Sequence, residues 1–530
     1  MSAKKVFITG ASGVMEHASF IEIYRRRKDL NIVLLLLDDQ KTRRLFLPYK
    51  NDPRVSIVWG DLRDYKSVLE CVEGCDYVLH IGGLVSPTAD YYPKKTFEVN
   101  DKAAENIVKA VKSRLNSDDI KVIYIGTVAE TGDRNDPIHW GRCGDPINIS
   151  IYDHYAISKV QAERVFSESG LKHWVSLRQS GILHPGLLYN IGPIVFHIVL
   201  RGVLEWATIE DSATLMCNVL NDDVPETFWR KFYNIGSGEE YRLTNYEFEE
   251  KILHAIGMGH NAPQKLFEPN WFITRNFHGQ WFSDSDELDK ILHFRHNIPI
   301  KEYFKNMKRN LPWFFKYTYL AANAIGKMFM KAIAYDKRFG TLTWLKEKDE
   351  TRIKAYFGSY EEWKKVPKTW ELTNLSPPSK QITYLDHGYD ETKPISELGL
   401  EDMKKAAHFR GGECLSNEME KGNLYKPLKW KCAFGHTFEM TPNTVLKGGH
   451  WCPKCDPIPW NYDEIAKVNP FFAQVWNPFH NKNESNVFDE SIYKDYDEYK
   501  LKRSSNVWLH LMIMFFIISF TIMFIILTWN

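Results

Sequence analysis

Lys5–Gly13 reads KVFITGASG, an apolar run closed by Gly10, two small residues and Gly13. The run predicts a strand, and Val14–Lys28 after it carries a helical pattern. Glycines at such a junction permit a tight turn and let backbone N–H groups approach a pyrophosphate at the helix N-terminus. Outward from this point the pattern repeats. Ile32–Leu37, Val55–Trp59, Tyr77–Ile81, Val122–Ile125 and Trp174–Leu177 read as further strands, with helical stretches such as Phe97–Leu115 and Tyr152–Glu168 between them. Their apolar runs are continuous rather than alternating, as in strands buried on both faces. The expected fold class is α/β, a doubly wound parallel sheet with a smaller substrate lobe, with ligands at the carboxyl ends of the strands.

Those ends carry chemistry. Asp38 closes the second strand, where a carboxylate can accept hydrogen bonds from an adenosine ribose and would repel a 2′-phosphate. This favours NAD and leaves NADP open. Gly60-Asp61-Leu62 closes the third strand and His80-Ile81-Gly82-Gly83 the fourth. Further on, Tyr155 and Lys159 stand four residues apart, on one face of a helix. A Lys⁺ beside a phenol favours phenolate, and such a tyrosine can exchange a proton with a substrate hydroxyl. Thr127, past the fifth strand, can hydrogen-bond the same oxygen.

Taken in order, TGASG, Asp38, GDL at 60–62, VLHIGG at 78–83, VN at 99–100, IGTVAETG at 125–132, YAISK, LRQSGILHPG at 177–186 and YNIGSGE at 233–239 resemble the NAD-dependent epimerase/dehydratase family. This is the extended short-chain dehydrogenase/reductase group, of Rossmann type, and the likeness covers about residues 4–260. It implies an enzyme with Tyr155 as general acid/base, Lys159 as its tuner and ribose ligand, and Thr127 as orienter. Gly10, Ala11, Ser12, Gly13, Asp38, Asp61, Leu62, Ile81, Gly82 and Lys159 would bind the cofactor. The implied substrate is a small molecule with a secondary alcohol, on a nucleotide sugar or a lipid or sterol; epimerase, dehydratase and dehydrogenase chemistry remain alternatives. The rival expectation is a non-catalytic NAD-binding scaffold or regulator tethered to a membrane.

One residue departs from the family pattern, TGxxGxxG: Glu16 stands at the third glycine. It either points to solvent harmlessly or sets a charge beside bound phosphates. The retained Thr127, Tyr155 and Lys159 favour the first alternative.

The remainder of the chain divides by composition. Residues 1–310 form the cofactor domain with its lobe, 311–400 a helical and linker region, 401–480 a Cys/His module, 481–507 a charged linker, and 508–529 an apolar segment. In the module, Cys432 and His436 pair with Cys452 and Cys455, a spacing suited to a closed tetrahedral zinc site; Cys414 and His450 are spare candidates. The stretch is similar to bacterial-type zinc-ribbon or treble-clef modules. From Met403 to Asp456 nine Lys/Arg stand against five Asp/Glu, too mild an excess to predict a nucleic-acid partner. The whole chain balances 68 Lys+Arg against 67 Asp+Glu, excluding a strongly basic binder. Trp508–Trp529 reads WLHLMIMFFIISFTIMFIILTW, without a charge, and would span about 33 Å as a helix. Lys500, Lys502 and Arg503 precede it, so a single-pass C-terminal anchor with the catalytic part on the cytoplasmic side is expected. A homodimer is left open.

Overall fold

In the computed structural model the described residues are 3–86, 88–189, 191–311, 323–455 and 460–488. The segment 508–529, with its expected membrane span, lies outside them. So does most of the charged linker. Among the described residues no helix is long and apolar enough to cross a membrane.

Val6 and Ile8 face one side of the first strand and Phe7 the other, and all three are fully buried. That is the signature of a strand covered on both faces, and it decides the layering. β1 (Lys4–Thr9), β2 (Leu30–Leu36), β3 (Val55–Trp59), β4 (Tyr77–His80), β5 (Lys121–Thr127), β6 (Trp174–Gln179) and β7 (Lys231–Ile235) form one sheet in the order 7-6-5-4-1-2-3. Every pairing is parallel, with Val6 in register with Ile32 on one side and with Tyr77 on the other. The doubly wound architecture is therefore present. The order reverses between β1 and β4, where a crevice opens.

Helices cover both faces. Val6, Ile8 and Leu34 pack against Phe20 and Ile23 of α1 (Val14–Arg26). Phe7, Val33 and Tyr124 pack on the other side against Ile107 and Val111 of α2 (Pro93–Lys112) and Phe166 of α3 (His154–Ser167). Each such buried large side chain contributes about 1.5–3 kcal/mol. β7 was not among the expected strands.

A second core builds the lobe around Phe248 and Ile252 of α4 (Asn245–Ala255), joined by Trp344, Ile353 and Phe357 from residues 341–357. The Cys/His module has its own small core about Trp430, Met403 and Leu446, beneath an antiparallel sheet of β8 (Glu413–Cys414), β9 (Leu428–Lys431) and β10 (Thr437–Met440). Residues 460–488 then return to the first domain, where Trp460, Tyr462 and Phe472 share a core with Ala156, Ile157 and Val160 of α3. Thus α3 is clasped by chain that lies some three hundred residues further on.

Candidate active site

The crevice is built from β1 and β4. Gly10 ends β1 with a φ of +71°, and a Cβ there would lie 2.4 Å from the Cα of Gly82. Only glycine allows both the turn and that approach. The Thr9 hydroxyl accepts the N–H of Gly82 at 2.9 Å and lies 3.0 Å from His80 Nδ1, tying the two strand ends together. Burial pushes His80 down to about 3, so the ring is neutral. Gly13 precedes α1, whose first turn offers free N–H groups. Ala11 is buried and Ser12 exposed. Ile81 is buried in the sheet core beside Gly82.

Thr127 and Tyr155 meet in the same crevice. The Thr127 hydroxyl hydrogen-bonds the phenol, which favours phenolate, yet burial and the charges of Asp153, Glu130 and Glu16 outweigh it and raise the Tyr155 pKa. The expected downward tuning by Lys159 is not what sets Tyr155 here. Lys159 is buried, with its ammonium 4.4 Å from the centre of the Tyr124 ring. Burial lowers it to about 8, while Glu130, Glu16 and Glu163 hold it up. Asp153 caps α3, accepting the N–H of Ala156 at 2.8 Å, and so sets where Tyr155 begins its turn.

Glu16 does not point to solvent. Its carboxylate folds back over Gly13, with Oε2 only 2.2 Å from where a Cβ on that glycine would stand. Burial raises the carboxyl to about 7, against the opposing pull of its own backbone N–H and of the Lys159 charge. Glycine at position 13 thus makes room for the side chain that replaces the third glycine. The expected solvent-facing position is not found: the carboxylate lies at the N-terminus of α1, where an anion is best held.

The adenosine end holds ion pairs. Asp38 is exposed and paired with Arg43, whose Nη2 donates to Oδ2 at 2.7 Å. Arg43 also lies 4.6 Å from the Trp59 ring. Asp61 is held by Arg63 at 2.7 Å, and the Leu62 carbonyl accepts from Asn106 at 2.8 Å. A ribose between Asp38 and Arg43 would meet both a carboxylate and a guanidinium.

The residues that sequence reasoning passed over are the ones beneath the site. Asn100 Nδ2 donates to Ser158 Oγ at 2.8 Å and to the Leu84 carbonyl at 3.1 Å, joining α3 to the loop after β4. Glu130 accepts the N–H of Thr127 at 2.9 Å. Glu163 and Arg178 pair at 2.6 Å, both fully buried. Charged residues inside apolar runs, such as Arg178 in WVSLRQ, were the available signal.

Far from the crevice, Cys432, His436, Cys452 and Cys455 converge, their ligand atoms all within 4.8 Å of one another. Cys414 is not in this group, and His450 turns away from it to Glu163.

A cavity of about 290 Å³ opens in the lobe, lined chiefly by apolar side chains including Leu187, Val195, Trp206, Phe248 and Ile252. His278 in its wall lies 3.2 Å from Asp153 Oδ2, the cap of the helix that carries Tyr155.

With this geometry in place, comparison with known proteins is informative. Residues 7–175 match the 3-beta hydroxysteroid dehydrogenase/isomerase family. Within residues 7–175 the chain is therefore similar to that family. UDP-glucose 4-epimerase of Rickettsia felis is 30% identical over 127 residues, 23% of this chain and 36% of the relative. The enzyme of the same name from Rickettsia canadensis is 32% identical over 129 residues, again 23% and 36%. The chain thus spans about a third of the length of these curated relatives. Among solved structures, dTDP-glucose 4,6-dehydratase of Bacillus anthracis in complex with NAD aligns over 58% of this chain and 96% of its own, at 13% identity and a TM-score of 0.46. The family match stops at residue 175, before most of the residues that line the cavity.

Proposed function

We propose that this protein is an NAD(H)-dependent oxidoreductase that acts on a secondary alcohol of an apolar, lipid- or sterol-type molecule. The observation that carries the reading is the hydrogen bond between Thr127 and Tyr155 beside the Gly10–Gly82 approach, with Glu16 acting on both Tyr155 and the buried Lys159. The Gly10–Gly82 cradle, too tight for any Cβ, suits the close approach of a dinucleotide, and Asp38 and Lys159 would bind its two riboses. Bound nicotinamide supplies hydride acceptance or donation. Tyr155 Oη exchanges a proton with the substrate oxygen, and Thr127 orients that oxygen. Burial raises the Tyr155 pKa and so favours the phenol, the form that donates a proton to the substrate oxygen in the reducing direction.

The lobe cavity supports the apolar substrate, since a nucleotide pyrophosphate needs cationic or amide partners that its wall does not concentrate. Glu249 stands in that wall, and burial pushes its carboxyl up to about 8. It is a neutral acid at pH 7, able to donate to one polar group on an otherwise apolar ligand. A second reading, epimerisation or dehydration of a nucleotide sugar, is favoured by the curated relatives named UDP-glucose 4-epimerase. That likeness covers about a third of their length, so it speaks less for the substrate.

The test is absorbance at 340 nm with NAD⁺ and, separately, 5α-androstan-3β-ol and a long-chain secondary alcohol, with chromatography of the products from UDP-glucose, whose epimerisation or dehydration leaves no net NADH. Reduction with an apolar alcohol that Tyr155→Phe abolishes supports the reading. Conversion of UDP-glucose alone overturns the substrate class, and full activity of Tyr155→Phe overturns the assignment of the base.

The remaining features complete the reading. Zinc is the metal that Cys432, His436, Cys452 and Cys455 suit, in a closed structural site. The apolar segment 508–529 would tether the enzyme to a membrane, which brings a lipid-soluble substrate within reach. Flotation of the full chain with vesicles, lost on deletion of 504–530, is the outcome this tether requires.

A further inference from the structure

One cluster of fully buried charge lies outside the proton-transfer group and joins parts of the chain far apart in sequence. Glu163 of α3 takes two hydrogen bonds from Arg178 of β6, at 3.1 and 2.6 Å, and one from the Ser176 hydroxyl at 2.5 Å. Its remaining approach is filled by His450, whose Nε2 donates to Oε1 at 2.7 Å across 287 residues. Arg178 Nε also lies 3.2 Å from Glu130, and Glu130 accepts the N–H of Thr127. Glu130, Glu163, Arg178 and His450 are all excluded from solvent. Removing one partner from such a group is costly because the others cannot turn to water.

The segment that delivers His450 is pinned on both sides. The Gly448 carbonyl accepts from Arg178 Nη2 at 2.7 Å. Gly449 has a φ of +78°, and a Cβ there would lie 1.9 Å from the Asp145 carbonyl oxygen. Thr441 donates its hydroxyl to Glu168 at 2.7 Å, just past the end of α3. Two residues after His450 comes Cys452, within the Cys/His cluster.

That cluster has the dimensions of a metal tetrahedron. Ligand bonds of about 2.3 Å to sulfur and about 2.05 Å to nitrogen give edges of roughly 3.8 Å (S···S) and roughly 3.6 Å (S···N). The edges here are 3.6 Å for Cys432–Cys455, 3.3 Å for His436–Cys455 and 3.6 Å for Cys452–His436.

We propose that a zinc ion bound by Cys432, His436, Cys452 and Cys455 fixes the 448–452 segment, and that His450 transmits this to Thr127 through Glu163, Arg178 and Glu130. His450 is then a positioning residue of the oxidoreductase site, and the Cys/His module is part of that site's scaffold rather than a separate docking domain. The claim about turnover rests on the oxidoreductase reading above; the claim about coupling does not.

The experiment compares the full chain with Cys455→Ser, His450→Ala and His450→Gln, by elemental analysis for zinc, amide hydrogen exchange and steady-state kinetics. The native chain is expected to hold one zinc. Cys455→Ser should lose it, His450→Ala should keep it, and both should speed exchange in residues 121–132 and 154–168 about tenfold while leaving 4–26 unchanged. Both should lower kcat about tenfold or more with NAD⁺ affinity held within about twofold. His450→Gln, which can still donate to Glu163, should restore both readouts. Absence of zinc, exchange that is unchanged or uniformly faster along the chain, or native kcat in His450→Ala would overturn the proposal. The exchange pattern in a protein that oxidises no alcohol would uphold the coupling and sink only the oxidoreductase reading.

Discussion

Replacing Glu16 by glycine tests the phosphate-loop geometry directly. The carboxylate rests over Gly13 at the N-terminus of α1, where the pyrophosphate of a dinucleotide would compete for the same N–H groups. A unit charge about 6 Å from each of two phosphate charges costs about 1.4 kcal/mol at a water-like dielectric, and several times that in a partly enclosed cleft. Glu16→Gly should therefore tighten NAD⁺ binding at least about tenfold at pH 8. The sign of the pH dependence follows from the carboxyl's upward shift to about 7. Below that pH the group is neutral and leaves the anion undisturbed; above it, the group is charged and opposes it. Native affinity should fall between pH 6 and 7.5, whereas Glu16→Gly and Glu16→Gln should be flat over that window. The native chain should also lose affinity near pH 8, where Lys159 gives up its charge. Titration calorimetry across this range reads both effects. A flat native profile refutes the electrostatic argument. A gain in Glu16→Gly without one in Glu16→Gln would assign the obstruction to bulk rather than charge.

Other perturbations follow from the same geometry. Gly10→Ala forces a side chain onto the Gly82 backbone at a positive φ, and should lower stability by about 1–3 kcal/mol and abolish NAD⁺ binding, read by thermal melts and titration. Arg178→Met leaves Glu163 and Glu130 buried without their cation, and should cost about 3–5 kcal/mol by denaturant unfolding. Ile252→Trp fills the lobe cavity; KM for a sterol-sized alcohol should rise about tenfold while kcat for a small secondary alcohol is unchanged.

The sheet was legible because its physics is local. Six of its strands are continuous apolar runs, and each was expected within a few residues of its observed bounds. β7 escaped because KFYNI is short and follows a turn-rich stretch, so periodicity gives no separate signal. The glycines at 10, 13 and 82 were readable for the same local reason. Glu16 was not. Whether its side chain leaves or enters the crevice depends on the room beside Gly13, and that is a property of the folded loop. The buried Glu130–Arg178–Glu163–His450 cluster left one sign in the sequence, the charge of Arg178 inside the apolar run WVSLRQ, and its pairing was not legible. Each member is an ordinary polar residue in sequence, and its meaning arises from a partner up to 287 residues away. The Cys/His spacing, by contrast, foretold a convergence that the folded chain places within ligand reach.

The clasp on α3 has a consequence for biosynthesis. The helix bearing Tyr155 is made early, but the residues that seal Glu163 and cover Ile157 and Val160 are made some three hundred positions later. At about 5–20 residues per second, a ribosome needs roughly 15–60 s to cover that distance. Throughout that interval the nascent sheet carries an unsealed carboxylate and an uncovered apolar flank. The α/β portion can form its strands as it emerges, but it reaches its final arrangement only after residue 488 is free. Chain growth thus acts as a timer, holding the proton-transfer group incomplete until residues 460–488 arrive.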